Sequence, residues 1–592
     1  MVKASSGRRA PTARTPGPPV VNFRFNDRDL AAPDGTAIAG ALLSNGEQAW
    51  RTTRRGDQCR GLFCGIGTCF DCLVDVNGEK AVRACLRRVR DGDEVRSSDS
   101  VGRPQALNMT GPNMTGLNMT GPNMTGRDLT DIVVVGAGPA GMAAAAAAAA
   151  RGASVVVVDA TPRLGGQYYR QPLVDDGAQS SPAGPGLPTR FHGIATHPLV
   201  ELRLGRSVWS ATRERASFIV HLDDGPGSRL RARAIVLATG ASELVLPFPG
   251  WDLPGVVTAG AAQALLKSQR VFVGRRVVVG GTGPFLLPVA AALAGTGAQV
   301  TLVEAATLST VPRALPGLVA HPAKMAEAAA YGLALGRGRA RALTGRAVVR
   351  CEGDGKVERA VVARLAPDWA IIAGSEQTVE VDAVCVSYGF VPRVELARQL
   401  GASDLRRAGS LTGGAAPDHT MGSTIPGLFV AGELAGIAGA EVAELEGELA
   451  GHGAASHVGR PDNRSPSDHE DLARRLSKGR AFARALEALY PPGAKWTSWL
   501  DRSTVFCRCE QTTWGAIEEV IAKGARSARE VRSLTRCGMG YCQGRTCGPA
   551  LQLAVSALTG RPADVVGDLH KRPVAVPVPL DLVARSGGLA DW

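Results

Sequence analysis

The sequence predicts an α/β chain built around two Rossmann-like dinucleotide-binding units, with a small thiol-rich module at each end. Three observations carry this. Residues 131–159 read DIVVVGAGPAGMAAAAAAAARGASVVVVD, a strand, a glycine turn, a helix and a strand ending in an acid. An altered copy of that pattern begins at Arg276. The cysteines gather at the two ends, with only Cys351 and Cys385 between.

In the first unit, residues 132–135 are an apolar, β-branched run suited to a buried parallel strand. Gly136, Gly138 and Gly141 follow in the G-x-G-x-x-G spacing, with Pro139 and Ala140 inside the turn. The first glycine permits a tight turn, the second lets backbone approach a pyrophosphate, and the third lets helix and strand pack closely. Residues 142–150 are strong helix formers, whose N-terminal amides would face the phosphates. Residues 155–158 form the second strand, and Asp159 ends it, where a carboxylate accepts hydrogen bonds from an adenosine ribose. A glycine triplet alone is weak evidence; the whole unit is specific.

A chain of 592 residues has room for several domains. Its net charge of +13 comes from abundant Arg, and no basic run is interleaved with aromatics, so no nucleic-acid partner is expected. Residues 1–20 are basic and rich in Pro and Ser, without the apolar core of a secretion signal, and are expected to be a disordered tail. Residues 132–150 are uncharged and nearly long enough to cross a bilayer, but the glycine fingerprint makes them strand, turn and helix. No transmembrane segment is expected. The expected location is cytoplasmic, either free or attached peripherally at the inner face of the membrane. Twelve cysteines in so large a chain indicate metal or redox centres rather than disulfides.

In the N-terminal module, residues 21–101, Val21, Phe23 and Phe25 alternate with polar residues as a half-buried strand does. Asp34-Gly35 marks a turn, and Thr36 is expected to cap a helix reaching Ser44. Then RGLFCGIGTCFDCLVDV and VRAC place Cys64, Cys69 and Cys72 at C-x4-C-x2-C, with Cys85 as the fourth thiol. This resembles the cluster loop of plant-type ferredoxins, which hold a [2Fe–2S] cluster through four thiolates. Gly65 and Gly67 let such a loop wrap, zinc on the same ligands is the alternative, and Cys59 is left over. Residues 102–127 repeat NMTG four times with no apolar face, a flexible tether between two self-sufficient units, as in a fusion of two subunits.

Residues 128–460 form the core. RLGGQYYRQ, after Asp159, resembles the two-dinucleotide-domain flavoproteins, in which a Gly-Gly-Gln loop lies along FAD. The resemblance assigns Arg163, Gly166 and Gln167 to that site. Residues 234–240, AIVLATG, are a strand ending at Ala238, Thr239 and Gly240. Residues 427–433, GLFVAGE, supply Gly432 and Glu433; in that superfamily the acid contacts the ribityl chain and the next helix points at the flavin. Glu433 stands where Asp is commoner.

The second unit, inserted at about 255–375, keeps Gly281, Gly283 and a terminal acid, Glu304. Leu286 takes the place of the third glycine, and Pro288 that of a customary acid. Leu needs room where the helix should pack tightly, and Pro disturbs a helix unless it sits near the start. A degraded site is expected, a remnant or a holder of NAD(P) or another adenine nucleotide without hydride transfer. No close Cys pair lies between Gly136 and Ala431, which disfavours disulfide reduction; Cys351 and Cys385 read as core thiols. His192 and His197 lack a partner motif, and no catalytic residue is assigned.

Residues 461–500 read as a helical connector, with Leu472, Leu476, Phe482, Leu486 and Leu489 at helical spacing. Residues 501–570 contain TVFCRCEQTT and RCGMGYCQGRTCGPALQLAVSALTG, five thiols in which one is surplus to a four-thiolate site; 571–592 is a tail. The stretch resembles the bacterioferritin-associated-ferredoxin type of [2Fe–2S] domain, and by that match the ligands are Cys507, Cys509, Cys542 and Cys547. Cys547 opens an expected helix with Pro549 in its first turn, where the dipole favours thiolate. Cys537 stays open as a substitute ligand, and zinc as the alternative metal.

Apart from tail and tether, the chain resembles the fused ferredoxin-like and FAD-containing subunits of hydrogen cyanide synthase, opine oxidase and the D-hydroxyproline or proline dehydrogenases. PGWDLPGVVTAGAAQALLK (249–267) and VSYGFVPRVELARQLG (386–401) add to the match. The resemblance implies an FAD domain with an inserted NAD-like domain, flanked by a β-grasp ferredoxin-like domain and a small helical [2Fe–2S] domain. It implies FAD and two [2Fe–2S] clusters. It further implies electron relay from a flavoprotein subunit like glycine oxidase or D-amino-acid oxidase, which oxidises a C–N bond, to a quinone or redox protein. The alternatives are a self-contained NAD(P)H-dependent reductase and a non-catalytic electron carrier.

Overall fold

The computed structural model describes residues 19–55, 58–98, 129–173, 186–225, 228–307, 321–338, 340–402, 417–462, 464–569, 572 and 574–585. The basic tail up to residue 18, the NMTG tether and the last residues, 586–592, lie outside them. No helix among the described residues is long and apolar enough to cross a membrane.

The N-terminal strands Val20–Phe25 and Arg28–Pro33 form a hairpin at one edge of a sheet that also contains Asp93–Ser97, Leu73–Val76 and Glu79–Arg83. Val20–Phe25 runs parallel to Asp93–Ser97, which forces the chain to cross over between them. Phe23 and Phe25 are buried, as their alternation predicts. Thr36 does not cap the helix Ile38–Ser44: the N-cap is Ala37, and no side chain bonds there. The first-turn amides already have partners from far along the chain. Ala37 N donates to Gln269 Oε1 at 3.0 Å, Ile38 N to Arg87 O and Ala39 N to Ala84 O.

The central sheet runs in the order Val200–Leu204, Val155–Asp159, Leu129–Val135, Arg229–Leu237, Ser217–Leu222, Val208–Glu214, and Leu428–Val430 also pairs with Arg229–Leu237. The strands around the fingerprint are parallel, and the last two form an antiparallel meander. The helix begins at Pro139, earlier than the expected residue 142, because proline suits the first helical position. The helix Ala440–His457 lies directly on it. A Cβ on Gly447 would lie 2.0 Å from Ala140 O, and one on Gly451 2.3 Å from Ala144 O. Glycine facing alanine brings the two backbones into contact.

The inserted sheet is parallel: Val256–Thr258, Ala383–Ser387, Arg276–Gly281, Gln299–Glu304, Ala340–Thr344. Its second strand in spatial order lies beyond the expected end at 375. Pro288 falls in the first turn of the helix Leu286–Gly295 and does not break it. Leu286 opens that helix and is 1% exposed. In the first unit the helix starts two residues before the third glycine; here it starts at the third position, so apolar packing replaces a close backbone contact.

The connector is the helix Pro466–Leu489, opened by a Ser465–Asp468 capping box. Beyond it, Trp514–Ala522, Ala528–Thr535 and Cys547–Thr559 build the C-terminal domain. One apolar core runs through three domains, joining Phe63 and Cys64 to Trp251 and Val348 and to Trp496, Phe506 and Cys547.

Candidate redox sites

Of the fourteen residues expected at FAD, Gly136, Asp159, Ala238, Gly432 and Glu433 sit at or just past the carboxyl ends of parallel strands, the position that ligands take in open α/β sheets. A Cβ on Gly136 would meet Ala238 O at 2.2 Å, and one on Gly141 would meet Gly136 O at 1.8 Å. Both glycines are therefore required by packing. At Gly138 the nearest atom, Gly166 Cα, is 3.9 Å away, which leaves the opening that a pyrophosphate needs. Asp159 Oδ2 accepts from Ala137 N at 2.6 Å, and Oδ1 accepts from Thr161 N and Oγ1, both at 2.6 Å.

The Gly-Gly-Gln loop is tied to this turn. Gly165 N donates to Ala137 O at 2.9 Å, Arg163 O accepts from Thr161 Oγ1, and Gln167 Oε1 accepts from Arg170 Nη1. Thr239 Oγ1 donates to Arg393 O at 2.8 Å, and Arg393 N to Gly240 O at 3.0 Å, which clips the exit of the central strand to the segment after Phe390–Pro392. Gly432 takes a left-handed φ of 71° and faces Ala140, while its amide donates to Glu446 Oε2 at 3.0 Å. Glu433 accepts from Gly439 N at 2.8 Å, beside the start of Ala440–His457. Burial outweighs that bond and pushes its carboxyl up to about 7.

The second unit keeps a turn of the same kind. A Cβ on Gly281 would lie 1.7 Å from Ser387 O, and Gly283 has open space. Glu304 accepts from Thr282 Oγ1 at 2.7 Å, Ala306 N at 2.8 Å and Gly283 N at 3.1 Å, and burial pushes it up to about 7. His192 bonds Leu187 O and His197 accepts from Leu199 N, both local backbone contacts. Cys351 and Cys385 are core thiols, and burial raises both.

At the N-terminal site Cys64, Cys69, Cys72 and Cys85 are all buried. They associate as two pairs, Cys64 with Cys69 and Cys72 with Cys85. Gly65 and Gly67 take φ of 64° and 76°, the wrap expected of them. Cys69 N donates to Cys64 Sγ at 3.4 Å. Burial opposes ionisation of Cys64, but hydrogen bonds from the Cys69 and Thr68 side chains and from backbone amides bring it down to about 5.

At the C-terminal site Cys547 Sγ lies 3.8 Å from Cys507 Sγ and Cys537 Sγ 3.9 Å from Cys547 Sγ. Those separations match the edge of a thiolate tetrahedron with bonds of about 2.3 Å. Cys507, Cys537 and Cys547 lie within 4.8 Å of one another. Cys509 pairs instead with Cys542, whose thiol that contact brings down to about 7. Gly538 N donates to Cys507 Sγ at 3.5 Å, and a Cβ on Gly540 would lie 2.3 Å from Cys509 Cβ, so the Gly-Met-Gly turn closes directly over the thiols. The N-terminal site thus holds its four thiols as two pairs, as a two-metal cluster takes them, whereas the C-terminal site holds a trio, Cys507, Cys537 and Cys547, beside the pair Cys509 and Cys542. No disulfide joins any of the twelve cysteines, all of which are described.

The two thiol sites touch. Cys509 Sγ is 3.8 Å from Cys69 O. Phe70 stacks on Tyr541 with ring centroids 6.3 Å apart. Asp71 Oδ2 accepts from Arg508 Nε at 2.6 Å, with the two side chains 2% and 3% exposed.

Residues 19–100 match a 2Fe-2S iron-sulfur cluster binding domain, 130–447 the pyridine nucleotide-disulphide oxidoreductases, and 505–554 a BFD-like [2Fe-2S] binding domain. The A subunit of opine oxidase from Agrobacterium tumefaciens is 33% identical over 480 residues, 77% of this chain and 91% of that protein. The HcnB subunit of hydrogen cyanide synthase from Pseudomonas protegens is 32% identical over 463 residues, 76% of this chain and 96% of that protein. The chain belongs to the family of HcnB and the opine oxidase A subunit.

A member of this family is an FAD-dependent oxidoreductase, and this one carries an FAD-binding domain and two [2Fe–2S] domains on one chain. L-proline dehydrogenase from P. horikoshii has the same fold, with a TM-score of 0.69 at 21% identity, covering 96% of this chain and 98% of that one. Three features of this opine oxidase-family chain escaped the sequence reading. Glu446, 1% exposed, binds the Gly432 amide and pairs with Arg480 at 2.7 Å. Lys267 donates to Tyr168 O at 3.1 Å, and burial beside Arg170 brings it down to about 8. The Asp71–Arg508 pair is the third. In sequence all three look like solvated charges.

Proposed function

We propose that this chain is the electron-transferring flavin and iron–sulfur subunit of an amino-acid or imino-acid dehydrogenase complex. The observation that carries the reading is the contact between two thiol sites, close to the strand exit where the flavin cradle ends. A small cleft lined by Thr68, Ser242, Arg393, Glu395 and Arg545 lies where the two cluster loops meet that exit. Gly240 opens onto the same segment through Arg393. Cofactors seated at these places would adjoin one another through protein rather than water.

In this reading Gly136, Gly138, Pro139, Ala140 and Gly141 cradle the FAD pyrophosphate, and Asp159 meets the adenosine ribose. Arg163, Gly166, Gln167, Ala238, Thr239, Gly240, Gly432 and Glu433 line the rest. Cys64, Cys69, Cys72 and Cys85 hold one cluster, and Cys507, Cys509, Cys542 and Cys547 the other. FAD supplies the conversion between a two-electron amine oxidation and one-electron carriers. The chain contributes buried thiols, backbone amides that stabilise their negative charge, and walls that exclude water.

The relatives' names, each a subunit of an oxidase or synthase, support a separate partner that meets the substrate. A flavoprotein subunit resembling glycine oxidase or D-amino-acid oxidase would oxidise the C–N bond, and a quinone or redox protein would take the electrons, with peripheral attachment to a membrane. The open turn at Gly283 and the buried Glu304 favour an adenine nucleotide in the second site; buried Leu286 argues against a working NAD(P)H site. The test is anaerobic co-purification with native partners and a screen of amino and imino acids. Bleaching of this chain's flavin only when partner and substrate are both present supports the proposal. Bleaching by NADH or NADPH alone overturns it in favour of a self-contained reductase.

A further inference from the structure

We propose that Asp71 and Arg508 form a buried clamp that holds the two cluster loops together, so that iron centres bound there lie in direct electronic contact. The inference rests on the ligand reading above and goes beyond it, since neither residue belongs to a ligand set. Each sits between two of them: Asp71 between Cys69 and Cys72, Arg508 between Cys507 and Cys509.

Three consecutive residues of the first loop each meet the second site. Cys69 offers its carbonyl to the Cys509 thiol, Phe70 stacks on Tyr541, and Asp71 takes the Arg508 guanidinium. Arg508 is held on its other sides as well. Its Nη1 donates to Trp251 O at 2.7 Å, and its guanidinium carbon lies 4.1 Å from the Phe63 ring centroid and 5.0 Å from that of Trp251. Trp251 Nε1 in turn donates to Val505 O at 2.5 Å. One side chain thereby ties the ferredoxin-like domain, the flavoprotein core and the C-terminal domain.

A buried ion pair is a poor way to gain stability, because apolar residues of equal volume do as well; its attested use is to fix register. Here the register fixed is that of two thiol sites separated in sequence by more than four hundred residues. An arginine stacked between aromatic rings and aimed at one carboxylate has little freedom to let the loops slide. Clusters held this way exchange single electrons directly, one oxidised as the other is reduced.

The experiment uses the full chain, purified anaerobically and reduced with dithionite, with iron and sulfide counted and the electron paramagnetic resonance spectrum recorded at half and full reduction. Each reduced cluster carries an unpaired spin, and adjacent spins split or broaden each other's lines. The expected wild-type result is four irons per chain, with line splitting that emerges only at full reduction. Arg508→Gln and Asp71→Asn should keep the iron and lose the splitting, while Arg508→Lys, which keeps the charge, should retain part of it. Four irons with two independent signals in the wild-type protein overturns the direct contact. Unchanged splitting in Arg508→Lys and in either neutral variant overturns the clamp, and if the neutral variants fail to load iron, unchanged splitting in Arg508→Lys does so alone. Two irons or stoichiometric zinc in the wild-type protein would instead overturn the underlying ligand reading.

Discussion

Substituting Gly447 by Ala sets two physical effects against each other. Helix propensity alone favours alanine in Ala440–His457 by about 1 kcal/mol. Packing opposes it. The new Cβ would lie 2.0 Å from Ala140 O, 2.7 Å from its carbonyl carbon and 2.8 Å from its Cα, all backbone atoms that cannot rotate away. Over-packing of this kind costs about 1–3 kcal/mol, and backbone against backbone belongs at the upper end. The net is a loss of about 2 kcal/mol, which corresponds to roughly 3 °C in the unfolding of a domain of this size. Ala140 lies in the turn proposed to cradle the pyrophosphate, so FAD should also be lost sooner. The assay follows flavin fluorescence on heating, with flavin retention measured by gel filtration. Gly332→Ala, in the helix Pro322–Arg337 with no atom near its added Cβ, is the control and should be neutral or slightly stabilising. If Gly447→Ala is as stable as wild type and keeps its flavin, the close seating of the two helices is refuted.

Cys542→Ser should lose about half the iron and Cys537→Ser almost none, because a two-iron cluster takes four thiolates and Cys542 is the partner of Cys509; the reverse pattern in iron analysis would make Cys537 the ligand. Glu304 is held near 7, above its unfolded value of about 4.3, so the folded chain binds an extra proton between those values and loses stability as pH rises through about 7. Glu304→Gln should flatten that decline in denaturation midpoints measured from about pH 5 to 8; parallel curves would contradict it. NADH or NADPH, added anaerobically to the flavin-loaded chain, should leave the absorbance of oxidised flavin unchanged over minutes, since Leu286 fills the place of the third glycine.

Legibility in the sequence followed the range of the interaction that fixes each feature. Gly136, Gly138 and Gly141 answer to backbone requirements within a few residues, so the fingerprint and the strand Val155–Asp159 were readable. Cys547 and Pro549 likewise mark a helix start that the structure repeats. Thr36 misled because the amides it would have capped are met by Gln269, Arg87 and Ala84. The inserted domain reaches past 375 because the strand Ala383–Ser387 pairs between Val256–Thr258 and Arg276–Gly281, a placement no local pattern encodes. Pro288 looked disruptive only while the helix start was unknown. Glu446, Asp71 and Arg508 are charged side chains with no local partner motif, and only tertiary contact identifies them as buried. Which of the five C-terminal thiols is surplus is not legible for the same reason: spacing gives no distance between sulfurs, and the fold sets Cys537 beside Cys507 and Cys547.

An anaerobic reductive titration of the full chain tests the central claim most directly. FAD takes two electrons and each [2Fe–2S] cluster one, so about four electron equivalents per chain should be consumed, with the flavin and iron–sulfur absorbances both bleaching. Consumption of about two equivalents, with flavin bleaching alone, would contradict an electron relay built from one flavin and two clusters.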